Sequence, residues 1–207
     1  MMFLRYESFR EYLRYYPVNA IVLAIIIAVH FAFIAWSFVS GIPVPYLQRE
    51  FGAFTNYAPY DGTWRYVTSI FLHGNFGHLL FNAFAVFVFA PPLERFLGHF
   101  RYLVLFLISG VFGNVFTQLF YSYEVQSVGA SGAIYGVFGA FLYVMLFHRR
   151  AIDENSRRTL QTLLIVGFVF SILVPQVNAY AHLGGLAAGF VLIMLYIQFR
   201  MVQERGR

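Results

Sequence analysis

Long apolar runs, separated by short segments that carry arginines, dominate this chain. A helix that crosses a bilayer needs about 20 mainly apolar residues. Six runs come near that length, at residues 18–40, 77–93, 100–121, 131–147, 160–174 and 180–199. Only 11% of the residues are charged, about half the fraction of a soluble domain. The sequence therefore predicts an all-α membrane protein with six spanning helices, of which the second, fourth and fifth are short.

The ends of the chain differ in composition from these runs. Residues 1–17 interleave arginines and acids with aromatics and end at Pro17, which predicts an amphipathic interfacial segment and not a signal peptide. Residues 18–199 form the predicted transmembrane domain, with no room for a separate soluble domain. Residues 200–207 are expected to form a short cytoplasmic tail.

Arginine placement predicts the orientation in the membrane. The net charge of +5 comes from arginine, since the chain has no lysine. In a six-span arrangement only Arg49 and Arg65 fall on one side, and the other side receives the rest: Arg5, Arg10, Arg14, Arg95, Arg101, Arg149, Arg150, Arg157, Arg158, Arg200, Arg205 and Arg207. The positive-inside rule then predicts that both termini are cytoplasmic. The basic charge is a topology signal, and no nucleic-acid partner is expected.

Polar residues recur at the starts of alternate spans. His78, Ser131 and His182 lie near the beginnings of the second, fourth and sixth runs, so all three are expected at one depth, toward the extracytoplasmic face. Polar groups within a membrane are costly and usually functional. A serine becomes a useful nucleophile when a base lies beside it, and histidine is the usual base. The pattern predicts hydrolysis within the membrane.

Several motifs resemble the rhomboid family of intramembrane serine proteases over nearly all of residues 64–189. They are Trp64–Arg65, the segment from His78 to Asn82, Gly129-Ala-Ser131-Gly132, and Ala181–His182 followed by Gly185 and Gly189. Each motif alone is weak, whereas all of them in order are specific. The resemblance implies a six-span core with cytoplasmic termini and a serine endopeptidase activity.

The candidate catalytic residues are Ser131 as nucleophile and His182 as general base. A serine that merely caps the fourth helix is the alternative for Ser131. Neither the fourth nor the sixth predicted helix contains an acid, which predicts a dyad whose histidine is held by packing. Tyr135 follows Ser131 by one turn on the same face, and the resemblance implies that its ring lies against His182.

His78 and Asn82 share one face of the second helix because they are four residues apart. A tetrahedral oxyanion needs fixed hydrogen-bond donors. The resemblance implies that these two side chains, with the Ser131 backbone N–H, supply them. The alternative is that both residues form polar contacts between helices.

Glycines are expected to bring the two catalytic helices together. Gly185 and Gly189 form a small face that permits close helix packing, and Gly132 and Gly136 are the predicted partners. Gly129 belongs to the serine motif. The resemblance also implies that the fifth helix and the loop 175–179 form a gate and a cap, and the long loop 41–76 is expected in the interface, anchored at headgroup depth by Trp64 and Arg65.

One segment departs from the family pattern. Ala90, Pro91 and Pro92 stand where the second helix usually continues to a glycine before Glu94, and the prolines should end or kink it. The partner of Glu94 stays open among Arg95, Arg101 and a loop backbone.

Other classes of membrane protein remain as alternatives. A metal or haem site would draw on His73, His78 and His182, although the chain has no cysteine and no carboxylate nearby. A transporter would need charged or broken helices. A non-catalytic rhomboid-like chaperone usually lacks the serine or the histidine, and both are present here. The prediction is thus a protease without cofactor or metal, in a prokaryotic plasma membrane, acting on transmembrane substrates, with its oligomeric state open.

Overall fold

The computed structural model describes residues 2–3, 6–174 and 176–205, apart from the side chain of Arg205. Parts of the predicted N-terminal segment and of the predicted tail therefore lie outside the described residues. Arg5 and Arg207, which entered the orientation argument, and Pro175, in the predicted cap loop, are among them.

The described chain is a bundle of helices. Their bounds are α1 Phe9–Tyr15, α2 Pro17–Ser40, α3 Val44–Phe51, α4 Arg65–Thr68, α5 Phe76–Phe89, α6 Pro91–Leu97, α7 His99–Phe120, α8 Ser131–Phe147, α9 Glu154–Leu173 and α10 Ala179–Arg205. Short 3-10 turns cover Ser69–Phe71 and Arg149–Ala151. Strand β1, Phe54–Thr55, pairs antiparallel with strand β2, Gln126–Ser127. The predicted all-α character is confirmed.

Membrane-spanning capacity follows the apolar runs. Within the described residues, four helices are long and apolar enough to cross a bilayer, namely α2, α7, α9 and α10. The segment Arg65–Phe71 followed by α5, with a 92° bend between them, makes a fifth candidate. Helix α8 is apolar but has only 17 residues. The chain is thus an integral membrane protein, and the number of six crossings stays a prediction.

Predicted helix ends differ from the structure at α5, α9 and α10, the last of which extends to Arg205 instead of ending at 199. The predicted second run divides into α5, which ends at Phe89, and α6, which begins at Pro91. The expectation that the two prolines end or kink the helix is confirmed, because a proline is tolerated in a first turn and not inside a helix. The prediction of a short fifth helix is wrong: α9 begins at Glu154 and has 20 residues. Its polar first turns are helical because the Asp153 side chain caps them by accepting from the Ser156 N–H at 3.0 Å.

The long loop before α5 is tied together by a buried arginine. The Arg65 guanidinium donates to the backbone carbonyls of Arg49, Glu50 and Ala53, and its centre lies 4.5 Å from the Trp64 ring centroid. Arg65 is 5% exposed. Its charge is therefore compensated by carbonyls inside the loop, and the expected anchoring at headgroup depth stays a prediction.

Glu94 joins the opposite end of the bundle to the start of α2. Its fully buried carboxylate accepts from the backbone N–H groups of Val18 and Asn19, both at 3.0 Å, and contacts His99 Nδ1 at 2.7 Å. The partner left open by the sequence is thus the first turn of α2. An anion is favoured there because the first N–H groups of a helix have no partner within it.

Substitution Glu94→Gln should destabilise the fold. The amide group of glutamine would bring N–H donors against backbone donors and would remove the negative charge. Hydrogen bonds to a charged group contribute about 1.5–3 kcal/mol, so we expect the free energy of unfolding in detergent to fall by about that amount. Glu204→Gln, at an exposed glutamate of α10, is the matched control. Equal melting temperatures for the two variants would contradict this role of Glu94.

Candidate active site

Three helices begin at one end of the bundle, and each brings a predicted site residue. His78 is the third residue of α5, Ser131 the first of α8 and His182 the fourth of α10. The His78 imidazole lies directly against Gly129, where an added Cβ would stand 2.7 Å from Nε2. An added Cβ on Gly132 would stand 3.4 Å from the carbonyl oxygen of Ala181. The serine motif therefore lies between the starts of α5 and α10.

Helices α8 and α10 touch through their backbones. A Cβ on Gly185 would overlap the carbonyl oxygen of Gly132, and a Cβ on Gly189 would overlap that of Gly136. The structure thus pairs the two small faces as the sequence analysis expects. Side chains at these positions would push the helices apart and would separate Ser131 from His182.

The loop before Ser131 also depends on a glycine. Gly129 has φ +129°, which side chains rarely adopt, and the His78 ring occupies the place of a Cβ. Its backbone N–H donates to the carbonyl oxygen of Ser69 at 2.9 Å. The backbone therefore enters α8 along one defined path, in contact with the ring of His78, the candidate oxyanion residue.

Two of the three helix starts carry a side-chain cap. Asn75 Oδ1 accepts from the His78 N–H at 2.8 Å, and Asn178 Oδ1 accepts from the Ala181 N–H at 2.9 Å. Helix α8 has no side-chain cap, and Ala130 occupies its N-cap position. The alternative that Ser131 caps the helix is therefore wrong. Ser131 is the first helical residue and is half-buried, and its hydroxyl makes no capping hydrogen bond.

His182 is buried and held from two sides. The Tyr135 ring stacks on the imidazole with centroids 4.0 Å apart and an interplanar angle of 10°, where the resemblance placed it. On α9, Ser171 Oγ lies 2.6 Å from His182 Nδ1 and 3.1 Å from the Tyr135 hydroxyl. The expectation that packing alone holds the histidine therefore has to be corrected, because a hydroxyl contacts its ring nitrogen.

Sequence reasoning missed Ser171 and Asn178. Ser171 is a lone serine in an apolar run, four residues after Gly167, and this small polar face was the only available signal. Asn178 Nδ2 donates to Thr117 Oγ1 at 2.8 Å and to Ser127 Oγ at 3.0 Å. This amide thus ties the start of α10 to α7 and β2, contacts that no sequence spacing indicates.

The proposed dyad is not closed by a hydrogen bond. In the described part of the chain, the Ser131 hydroxyl makes no hydrogen bond to His182 or to any other group. Catalytic hydrogen bonds are often long before substrate binds. The contacts of Gly132 with Ala181 and of Gly185 with Gly132 bring together the backbone segments that carry the two residues.

Two further polar residues, Asn82 and His73, contact His78. Asn82 is buried, and its Nδ2 donates to the His78 carbonyl oxygen at 2.8 Å. His73 packs its ring on His78 with centroids 5.1 Å apart, and its carbonyl oxygen meets His30 Nδ1 at 3.2 Å. Within the described ranges, no group of three or more His, Asp or Glu side chains is arranged to hold a metal ion.

Comparisons with known proteins agree with the motifs. The Rhomboid domain matches residues 60–199 of this chain. The Bacillus subtilis protein YdcA, which carries a provisional rhomboid-protease name, is 38% identical over 95% of this chain and 97% of its own length. Rhomboid protease GluP of the same organism is 36% identical over 68% of this chain and 27% of GluP. RHOMBOID-like protein 5 of Arabidopsis thaliana is 37% identical over 73% of this chain and 50% of its own length.

Substitution Gly185→Ala should separate the two helices that carry Ser131 and His182. The added methyl group would overlap the Gly132 carbonyl oxygen, and overpacking typically costs about 1–3 kcal/mol. We expect a lower melting temperature and weaker reaction of Ser131 with a serine-directed probe. Gly77→Ala on α5 is the control, since its Cβ would meet nothing closer than 3.4 Å. A Gly185→Ala protein as stable as the control would contradict the close contact.

Proposed function

The chain belongs to the rhomboid family, and we propose that it is an intramembrane serine protease that hydrolyses peptide bonds in or near the transmembrane helices of membrane proteins. The observation that carries the proposal is the meeting of the starts of α5, α8 and α10, which gathers His78, Ser131 and His182. A serine hydroxyl beside a buried histidine is the minimum that acyl transfer needs.

In the proposed reaction, Ser131 Oγ attacks the carbonyl carbon of the scissile bond. His182 takes the hydroxyl proton through Nε2 and returns it to the leaving amine. Water then hydrolyses the acyl-enzyme with the same histidine as base. Two features support these roles: the Ser131 hydroxyl is not used as a helix cap, and Tyr135 fixes the plane of the imidazole by stacking.

The oxyanion of the tetrahedral intermediate would be stabilised at the start of α8. Because α8 lacks a side-chain cap, the N–H groups of its first turn remain available for a negative oxygen, and the helix dipole favours it. The His78 ring lies against Gly129, two residues before Ser131. Asn82 donates one amide hydrogen to the His78 carbonyl oxygen, and its second amide hydrogen can be donated to the intermediate.

The arginine distribution supports six crossings with both termini in the cytoplasm and the site toward the extracytoplasmic face. Substrates should carry glycine, proline or other small residues near that face. A regular helix keeps its carbonyls in internal hydrogen bonds, so a cleavable segment has to unwind. No cofactor takes part in this reaction.

Replacement of either dyad residue should abolish activity. We expect that Ser131→Ala and His182→Ala lose both labelling by a fluorophosphonate probe and cleavage of a single-span test substrate, because the nucleophile or its base is gone. Ser122→Ala, at an exposed loop serine, should behave like the wild type.

A well-folded wild-type protein that is not labelled by the probe and does not cleave the test substrate would contradict the protease proposal. It would shift the assignment to a non-catalytic binding role for the same fold.

Loss of an oxyanion donor should lower turnover without weakening substrate binding. For Asn82→Ala and for His78→Ala we expect kcat to fall about a hundredfold with KM little changed, since these donors act mainly in the transition state. Asn155→Ala at the exposed start of α9 is the control. Because Asn82 also supports its own helix, melting temperatures accompany the kinetics. Unchanged kcat in both stable variants would leave the two residues as helix contacts only.

A further inference from the structure

We propose that Ser171 of α9 is a positioning residue that fixes the tautomer of His182 and thereby prepares Nε2 to act as the base. The inference rests on the proposed function, since it assigns a role in the same site. It rests on the contacts of one buried hydroxyl, that of Ser171 on α9.

The Ser171 hydroxyl contacts three groups. Its Oγ lies 2.6 Å from the Gly167 carbonyl oxygen, 2.6 Å from His182 Nδ1 and 3.1 Å from the Tyr135 hydroxyl. Both Ser171 and His182 are buried, at 6% and 8% exposure. Water therefore does not compete for these contacts, and the protein groups must satisfy one another.

A count of hydrogens assigns the donors. A serine hydroxyl has one hydrogen to donate and two lone pairs. The Gly167 carbonyl oxygen can only accept, so at 2.6 Å it must receive the Ser171 hydrogen, the bond that helical serines often form to the residue four positions earlier. His182 Nδ1 and the Tyr135 hydroxyl then have to be donors to Ser171 Oγ.

This assignment of donors determines the state of the other ring nitrogen of His182, Nε2. With the hydrogen on Nδ1, a neutral His182 carries its lone pair on Nε2, the nitrogen that accepts a proton in the proposed reaction. The hydrogen bond made by one ring nitrogen sets the state of the other. In serine proteases with a triad this task belongs to a carboxylate. Here an uncharged hydroxyl performs it.

The local sequence of α9 builds this contact. A Cβ on Gly167 would crowd the Tyr135 hydroxyl, so glycine lets the tyrosine reach Ser171. Elsewhere the outer surface of α9 is apolar and exposed, as at Val166, Phe170 and Leu173. The serine therefore lies on the one face of this helix that meets the site.

The kinetic test compares three variants for cleavage of the single-span substrate. Ser171→Ala should lower kcat about fivefold with unchanged KM, because a neutral hydrogen bond contributes about 1 kcal/mol, which is about a fivefold change in rate, and only the base is affected. Ser171→Thr keeps the hydroxyl and should restore most of kcat. Ser109→Ala, at a fully buried serine of α7 whose Oγ has no partner among the described residues, should match the wild type. Equal kcat for Ser171→Ala and wild type would overturn the inference.

A second measurement does not depend on turnover. In protein with 15N-labelled histidine, above pH 7, the His182 signals are assigned by their loss in His182→Ala. We expect a neutral ring with hydrogen on Nδ1 in the wild type and a shift toward hydrogen on Nε2 in Ser171→Ala. A wild-type ring with hydrogen on Nε2 would overturn the inference even if the enzyme is active.

Probe labelling separates the inference from its rival, in which Ser171 is itself the nucleophile. Labelling that persists in Ser131→Ala and disappears in Ser171→Ala would reassign the nucleophile and overturn the positioning role. Labelling lost in Ser131→Ala and merely slowed in Ser171→Ala supports it. An unlabelled, inactive wild type would remove the proposed function together with the inference, whatever the tautomer.

Discussion

The direct backbone contact between α8 and α10 is the constraint on which the site depends. Glycines at 132, 136, 185 and 189 leave no side chain between the two helices, and a Cβ on Gly185 or Gly189 would overlap a carbonyl oxygen of α8. Within lipid the hydrophobic effect does not drive helices together, so close van der Waals contact between small residues is the available source of stability. The same contact sets Ser131–Gly132 beside Ala181–His182. Packing and catalysis thus draw on one set of glycines, which explains why a small change there should affect both.

The use of a hydroxyl in place of a carboxylate beside His182 follows from the surroundings. A buried charge inside a membrane protein is costly unless strong partners compensate it. The one fully buried carboxylate in the described chain, Glu94, lies away from the histidine and is compensated by backbone N–H groups of α2 and by His99. Ser171 provides direction without charge. It therefore orients the imidazole at little desolvation cost, while Tyr135 covers the ring face.

The sequence predicts most of the long helices, because apolar runs are a local signal. It also predicts that His78, Ser131 and His182 lie near the starts of alternate runs, and the structure begins helices at or near these residues. It fails where the decisive contact is made by a residue that looks ordinary. Ser171 is one serine in an apolar run, and only the tertiary fold turns it toward His182. The polar start of α9 lies outside the predicted fifth run, because hydropathy does not register the Asp153 cap. Glu94 had several possible arginine partners in sequence, whereas the folded chain offers it a helix start.

The shortness of α8 would allow the proposed site to hold polar chemistry at membrane depth. Helix α8 has 17 residues, which at about 1.5 Å per residue is shorter than the roughly 30 Å of bilayer hydrocarbon. Irregular backbone is tolerated at such depth only when the protein satisfies it. Asn75, Asn178 and the bond from Gly129 to Ser69 do this for the segments that surround the site. The start of α8 is the exception, with no side-chain cap. Its unpaired first-turn donors are tolerable where water or a substrate carbonyl can reach them, and this is the environment in which a developing oxyanion would be stabilised most.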